Sequence, residues 1–548
     1  MRMSLHGTNI ARNAFVVGAM TFVSRLGGLI REQLMAAFFG TSVIKSAFDV
    51  AFLIPNLFRR LFGEGALSAA VIPIYTETLE KDGKGAADRF ASRVAAVLLA
   101  SLGVIAAGLI LLTFPLARFF AGLAHADLPA AFAFLQDQER WQTIFPLLRI
   151  MLPYAPLICL AALAMGVINS HKSFAVPALA PLFLNLCWIA ALALVCPFLP
   201  EDPMIRIKAV SWSIVVAGVV QIAVQTPTLR RLGVPLRFDF HWAGDARLAH
   251  VFHLMGPVAF SAGVAQVNIL IDRFLAIKTG PWGPSALTYA ERLVYLPLGL
   301  VGTAFGVVLL PTLASLFANG DRDAMRQTVE RATRNVFTLM LPAAVGMAVL
   351  AYAIISLVYQ FKGGVFQDES TLLTGRALLG YAPGLILFSL EKVFTPAFYS
   401  VQDTRTPVRI SIACMGLNVC LNLLLIWILP DGWEHMGIAG ATVVAHLFNC
   451  TALFWILNRR RGLVSLGGIA RSCLSALAAA TLMAAAAYGV HAGATALLAP
   501  RLGFKTAQIA AMGAAVLLAA ATYLGVLRLL CPSAVHELIG SLRRRKRQ

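Results

Sequence analysis

Runs of about 20 or more apolar residues recur along the whole chain, and no other feature restricts its possible folds so strongly. They include Val94 to Phe114, Leu182 to Pro197 with its flanks, Val336 to Val358, and Leu474 to Val490 with its flanks. Inside a bilayer every backbone N–H and C=O must find its partner within the structure, which leaves α-helices or a closed β-barrel. Barrel strands read as short alternating segments, so uninterrupted runs of this length are helices. Only 13% of the 548 residues are charged, against 59% hydrophobic, where soluble domains carry about a quarter charged residues. The chain is expected to be an all-α polytopic membrane protein.

About fourteen helices are expected, beginning near residues 12, 46, 90, 142, 175, 207, 248, 285, 332, 372, 407, 437, 470 and 504. The N-terminal stretch MRMSLHGTNIARNAF superficially resembles a secretory signal, but no small-residue cleavage site follows it, and it reads as the retained first helix. Eight cysteines lie scattered without CxxC spacing, among them Cys187, Cys414, Cys420 and Cys450, and read as buried reduced thiols.

The net charge of +19 has a topological reading. Alternate connections plus both termini hold roughly 26 basic residues against roughly 9 in the other set, including the tail Arg543 to Arg547. Positive charge is retained on the cytoplasmic side, so both ends are expected there. That bias, with attraction to anionic lipid, accounts for the charge without a nucleic-acid partner.

Self-comparison points to a duplication. RIMLPYAPL at Arg149 to Leu157 resembles RALLGYAPG at Arg376 to Gly384, and Ser170 with Pro177 is matched by Ser400 with Pro407. Offsets of about 227 and 230 residues enclose an even number of helices. The halves should therefore share one orientation and be related by a pseudo-twofold along the membrane normal. The expected organisation is an N-lobe at 1–232 (helices 1–6), a C-lobe at 233–462 (helices 7–12), two extra helices at 463–532, and a basic tail at 533–548. Arg149 and Arg376 suit packing or capping more than substrate contact.

Against this apolar background six arginines fall inside expected spans: Arg25, Arg31, Arg59, Arg60, Arg149 and Arg292. A guanidinium does not shed its proton, and at bilayer depth it costs roughly 3 kcal/mol, so it faces a watery cavity or a paired interior. Asp49, Asn56, Arg60 and Glu64 fall within roughly an 80° arc of one helix, flanked by Arg59 and interrupted by Pro55. Arg60 and Glu64 also suit a structural i, i+4 bridge. In the first helix Ser24 and Arg25 precede Gly27-Gly28, which permit a bend, and Arg31-Glu32 reads either as site residues or as a snorkelling cluster at the interface. Glu291-Arg292 repeats the carboxylate and guanidinium pairing, and Asp272-Arg273 ranks lower as interfacial. Converging arginines suit a pyrophosphate, whereas a cation exporter needs a cavity dominated by Asp and Glu. No P-loop, HExxH, GxSxG or paired Cys/His metal spacing is present, so neither an ATPase nor another enzyme is expected.

SRLGGLIRE, FLIPNLFRRLFGEGALSAAVIPIY, TYAERLVYLPLGL and PAFYSVQDTRTPV together resemble the MurJ (MviN) family of bacterial lipid II flippases, within the MOP exporter superfamily. The resemblance covers essentially the whole chain. It implies two six-helix lobes around a cationic cavity, two further helices forming a lipid-tail groove, and a monomer in the cytoplasmic (inner) membrane. Lipid II would move from the cytoplasmic to the periplasmic leaflet by alternating access, one lobe rocking against the other. Carried over by motif, the substrate-binding residues are Ser24, Arg25, Arg31, Glu32, Asn56, Arg59, Glu64 and Arg292, with Arg60 added from the helix arc and Asp49, Glu291, Asp272 and Arg273 ranked below them. The expected partners are lipid II, membrane lipids and cell-wall synthesis proteins. No cofactor or metal is expected, and the coupling ion, whether sodium, proton or chloride, stays open. Two departures stand out: Glu32 where the family commonly has Asp, and Lys45-Ser46-Ala47-Phe48 where it usually has Thr-Asp-Ala-Phe, with Asp49 one turn later. The alternatives are a flippase for another polyprenyl-pyrophosphate glycan, such as an O-antigen unit, and a small-molecule antiporter.

Overall fold

The computed structural model describes residues 2–532 apart from 62–66, 125–126, 128, 174, 235–236, 242–244 and 460. Side chains of 2–19, 21, 68–69, 130–131, 257–262, 264–265, 300–307, 466, 468 and 502 are also outside the description. The described residues are helical and contain no strand. They divide into two compact units, Met1–Ser285 with Gly363–Val365 and Ala286–Lys362 with Phe366–Gln548.

The first unit holds α1 (Arg2–Phe39), α2 (Val43–Phe58), α3 (Leu67–Lys81), α4 (Lys84–Leu123), α5 (Gln138–Met151), α6 (Tyr154–Ser170), α7 (Ala175–Ala190), α8 (Pro203–Arg231) and α9 (Ala246–Lys278). The second holds most of α10 (Gly283–Ala318), then α11 (Arg322–Val349), α12 (Ala351–Tyr359), α13 (Asp368–Tyr381), α14 (Gly384–Ser400), α15 (Arg405–Ile428), α16 (Glu434–Arg459), α17 (Leu466–Leu502) and α18 (Phe504–Leu530). Short polar residues start several of them by accepting from otherwise orphaned N–H groups: Ser42, Asp137, Asp202, Asp245 and Asp321. Ten segments among the described residues are long and apolar enough to cross a membrane. The remaining spans of the sequence reading fall on α1, α2 with α3, α9 and α10, the helices that carry the candidate site residues.

The duplication is visible in the backbone, but only one of the two sequence matches has the right register. α5 and α13 each have 14 residues, α6 and α14 each have 17, and the breaks fall at Pro153 and Pro383, 230 residues apart. The Arg149 and Arg376 motifs, 227 apart, are therefore three residues out of step, a coincidence of two Leu/Ala-rich helices. The Ser170 and Ser400 match stands. After each, a Schellman turn closes the helix: Ser173 N–H bonds Ile168 O at 3.4 Å and Asp403 N–H bonds Phe398 O at 3.0 Å. The residue in the left-handed region is Lys172 in one and Gln402 in the other, both at φ 60°.

α17 and α18 form a hairpin joined at Gly503, whose φ of 77° and ψ of 156° favour glycine. Small residues let them approach: Ala476, Ala479, Ala480 and Ala487 pack with Met512, Ala519 and Tyr523, and with Leu341 of α11. Tyr523 donates to Thr338 O at 2.8 Å, tying α18 to α11. In the first unit Arg93 of α4 clasps the segment before α9, reaching Asp239 at 3.0 Å and Asp245 at 2.8 Å. None of the eight cysteines is joined in a disulfide; Cys420 is exposed on α15 and Cys187 half-buried on α7, correcting their expected burial, because those faces of the helices are not fully packed.

Candidate functional site

The candidate residues of the first unit separate into a sealed ion network and an accessible pair of arginines. α1 packs on α7, and Asn185 of α7 donates to Ser24 O at 2.8 Å and accepts from Arg31 at 3.1 Å. Arg31 pairs with Glu32 at 2.6 Å, and its guanidinium lies 4.1 Å from the centre of the Trp188 ring. With Arg31 5% and Glu32 3% exposed, the pair sits in a packed seam, its charges not reaching outward as snorkelling side chains do. A Cβ added at Gly27 would meet the Cβ of the same Asn185 at 3.4 Å, an ordinary van der Waals contact.

Lys45, which sequence reasoning treated only as a departure from a motif, is the centre of this network. It is 1% exposed, contacts both Asp49 oxygens at 2.6 Å and stands 3.8 Å from Glu32. Arg273 is close enough to act on the Asp49 charge. Asp272 and Arg273 are 8% and 6% exposed, and Asn268 donates to Asp272 at 3.4 Å. Both are packed within protein near the end of α9, which runs to Lys278. The i, i+4 spacing of Lys45 and Asp49 inside an apolar helix was the signal available in the sequence. Ser46 spends its hydroxyl on Ser285 at 3.0 Å.

Further along α2, Pro55 withholds a backbone donor and residues 59–61 widen into a π-type turn. Such bulges turn successive side chains away from the regular helical register. Arg59 is held by the Asn56 side-chain oxygen at 2.8 Å, and Arg60 by that of Gln266 on α9 at 3.3 Å. Both arginines are half-buried, as is Arg25 on α1. Each amide oxygen fixes the direction of the guanidinium it accepts from, and a guanidinium so oriented suits bidentate contact with a phosphate. Glu64 lies outside the described residues.

In the second unit Glu291 and Arg292 are half-buried on α10, and Glu291 accepts from Tyr295 at 2.7 Å. Arg149 and Arg376 tie down neighbouring backbone: Arg149 of the first unit reaches Thr113 O at 3.3 Å as well as its Oγ1 at 2.6 Å, and Arg376 of the second reaches Gly432 O at 2.6 Å. The same unit contains an apolar cavity of about 740 Å³ between α10, α11, α12, α17 and α18, lined by residues including Pro297, Pro342, Met347, Met483, Met512 and Tyr523. Sequence reasoning also passed over Glu391 and His446, midway along α14 and α16, although FSLEKVF places charge inside an apolar run.

A family model described as "Lipid II flippase MurJ" matches residues 35–507. A probable lipid II flippase MurJ of Rhizobium tropici is 36% identical over 478 residues, covering 87% of this chain and 86% of the relative. The lipid II flippase MurJ of Burkholderia cenocepacia is 31% identical, covering 95% and 97%. Among solved structures, a lipid II flippase MurJ in an inward closed conformation superposes with a TM-score of 0.72 at 22% identity, covering 94% of this chain and 98% of that one. An inward-facing multidrug transporter of the MOP superfamily gives a TM-score of 0.64 at 13% identity, covering 80% and 95%, a likeness of fold alone.

Proposed function

This chain belongs to the lipid II flippase MurJ family, a multi-pass transporter of the bacterial inner membrane and not an enzyme; from that premise we propose how its residues move lipid II. The substrate is an undecaprenyl chain joined through a pyrophosphate to the glycopeptide head group. Arg25, Arg59 and Arg60 receive the pyrophosphate, and Arg292 is assigned to substrate binding on the strength of its motif. The observation that carries this assignment is the pair of arginines on the π-type turn of α2, each oriented by a neutral amide oxygen. Arg31 and Glu32, sealed between α1 and α7, hold helices together in this conformation instead of meeting the substrate.

The lipid tail stays in hydrocarbon and enters the apolar cavity beside α17 and α18, so that only the head group needs a polar path. Alternating access carries it from the cytoplasmic to the periplasmic leaflet, and the distribution of basic residues supports both termini lying in the cytoplasm.

The test is translocation of purified lipid II in proteoliposomes. Arg59→Ala and Arg25→Ala at normal abundance are expected to slow it strongly, with Arg→Lys retaining part of the rate. Wild-type rates in both alanine variants would remove the proposed site. Depletion in cells is expected to accumulate lipid II on the cytoplasmic face and cause lysis, whereas loss of a drug exporter would only sensitise them.

A further inference from the structure

A polar cluster in the middle of the second unit has no task in lipid II binding. Glu391 on α14 and His446 on α16 both lie within segments long and apolar enough to cross the membrane. Ionisable groups at such depth cost several kcal/mol and face a polar path instead of hydrocarbon. The Glu391 carboxylate stands 3.6 Å from His446 Nε2 and accepts from the Asn449 amide at 3.4 Å. The other ring nitrogen, Nδ1, is 2.9 Å from the Thr442 carbonyl oxygen. A carbonyl only accepts, so Nδ1 keeps its hydrogen in either charge state. The nitrogen that gains and loses a proton is therefore Nε2, which faces the carboxylate.

Phe388 meets the imidazole edge-on with centroids 4.6 Å apart, fixing its orientation. Asn449 is 3% exposed and its Oδ1 has no donor among the described residues, while the Glu391 and His446 side chains are 28% and 26% exposed. The pair is thus reachable while its buried neighbour is sealed. Other ionisable groups nearby are Lys392 and Tyr399 on α14, and the thiols of Cys450 on α16 and Cys414 on α15. On the packed helices α11 and α13, Glu330 is engaged by Arg326 and Ser465, Arg334 acts on Cys473, and Arg376 holds Gly432 O.

We propose that Glu391 and His446 form the proton-binding site of the transport cycle. Loaded, it is an imidazolium facing a carboxylate; the proton leaves from Nε2 to give a neutral imidazole beside the same carboxylate, so the site's charge falls by one. Among the described residues no group of three or more His, Cys, Asp or Glu side chains gathers here to hold a metal ion. The proposal rests on the flippase reading for the cycle it serves, but the site stands on its own geometry.

Proteoliposomes with entrapped pyranine, a clamped membrane potential and an imposed pH difference provide the test. Lipid II translocation and the pyranine signal are each compared with and without the gradient in the same vesicles, so that differences in the amount of folded protein cancel. In the wild type both should change severalfold with the gradient. Glu391→Gln and His446→Gln should lose that response, and Glu391→Asp should keep part of it. Gln variants that respond as the wild type does would overturn the proposal. So would a sodium gradient at equal pH that drives transport and fails in Glu391→Gln. If the wild type moves no lipid II, the flippase reading falls, while the pyranine signal still decides the proton site.

Discussion

Arg59 and Arg31 carry the same charge on neighbouring helices, but their surroundings give them different work. Arg59 is oriented by Asn56 and half-buried, so a charge-assisted contact to pyrophosphate remains within its reach. Such contacts contribute about 1.5–3 kcal/mol, and Arg59→Ala is expected to lower lipid II translocation by about tenfold to a hundredfold, measured in proteoliposomes at equal protein density. Arg59→Lys should fall between, since an ammonium supplies charge without the planar fork. Lys45 presents the opposite case. Its ammonium lies between Asp49 and Glu32 with almost no solvent, so Lys45→Met takes from Asp49 the cation it touches, while Glu32 keeps Arg31, and should destabilise the protein by about 3–5 kcal/mol. Adding Asp49→Asn should restore much of that loss. The melting temperatures of the single and double variants decide the matter; equal melting of wild type and Lys45→Met would show the network to be energetically idle.

At the scale of elements, two backbone turns test how far the sequence determines helix ends. Gly503 joins α17 to α18 at a φ and ψ that a side chain tolerates poorly, so Gly503→Ala should cost about 1–3 kcal/mol. Gln402 holds a left-handed position without being glycine, and Gln402→Gly should gain about 1 kcal/mol, visible as a higher melting temperature. Equal melting in either variant would show that the turn is not rigidly held. The apolar runs were enough to place most helices because length and hydropathy alone fix a span. The duplication was legible at Ser170 and Ser400, where a turn imposes its own chemistry, and misleading at Arg149 and Arg376, where Leu and Ala repeat without a positional requirement. The site was legible as charge inside apolar helices. Its division into a sealed network and accessible arginines was not, because that depends on Asn185, Trp188 and Gln266, neutral residues from distant helices.

On the scale of the whole molecule, charge also sets responses to pH and voltage. The His241 backbone N–H and the Arg93 guanidinium hold Asp239 down at about 2. Burial pushes Asp245 upward, but hydrogen bonds from Arg93 and from the backbone of Arg247 keep it below its ordinary range. An unfolded carboxyl titrates near ~3.9, so a depressed folded value contributes stability above that pH and loses it as pH falls towards about 2. The clasp before α9 should therefore resist pepsin at pH ~4 and yield near pH ~2, while Arg93→Gln should open it already at neutral pH to other proteases. Unchanged cleavage across that range would remove the clasp. Voltage acts on the transported charge itself. A pyrophosphate moving outward against an inside-negative field gains about 2.3 kcal/mol per uncompensated charge per 100 mV. If Arg25, Arg59 and Arg60 stay with their helices while the head group passes, that gain is kept, and an inside-negative potential should accelerate outward translocation while reversal slows it. If the arginines traverse the field with the substrate, their charge cancels the pyrophosphate, and the voltage dependence shifts to the empty return step. Single-turnover translocation at clamped potentials separates the two, and a loaded step indifferent to voltage would contradict fixed arginines passing a mobile anion.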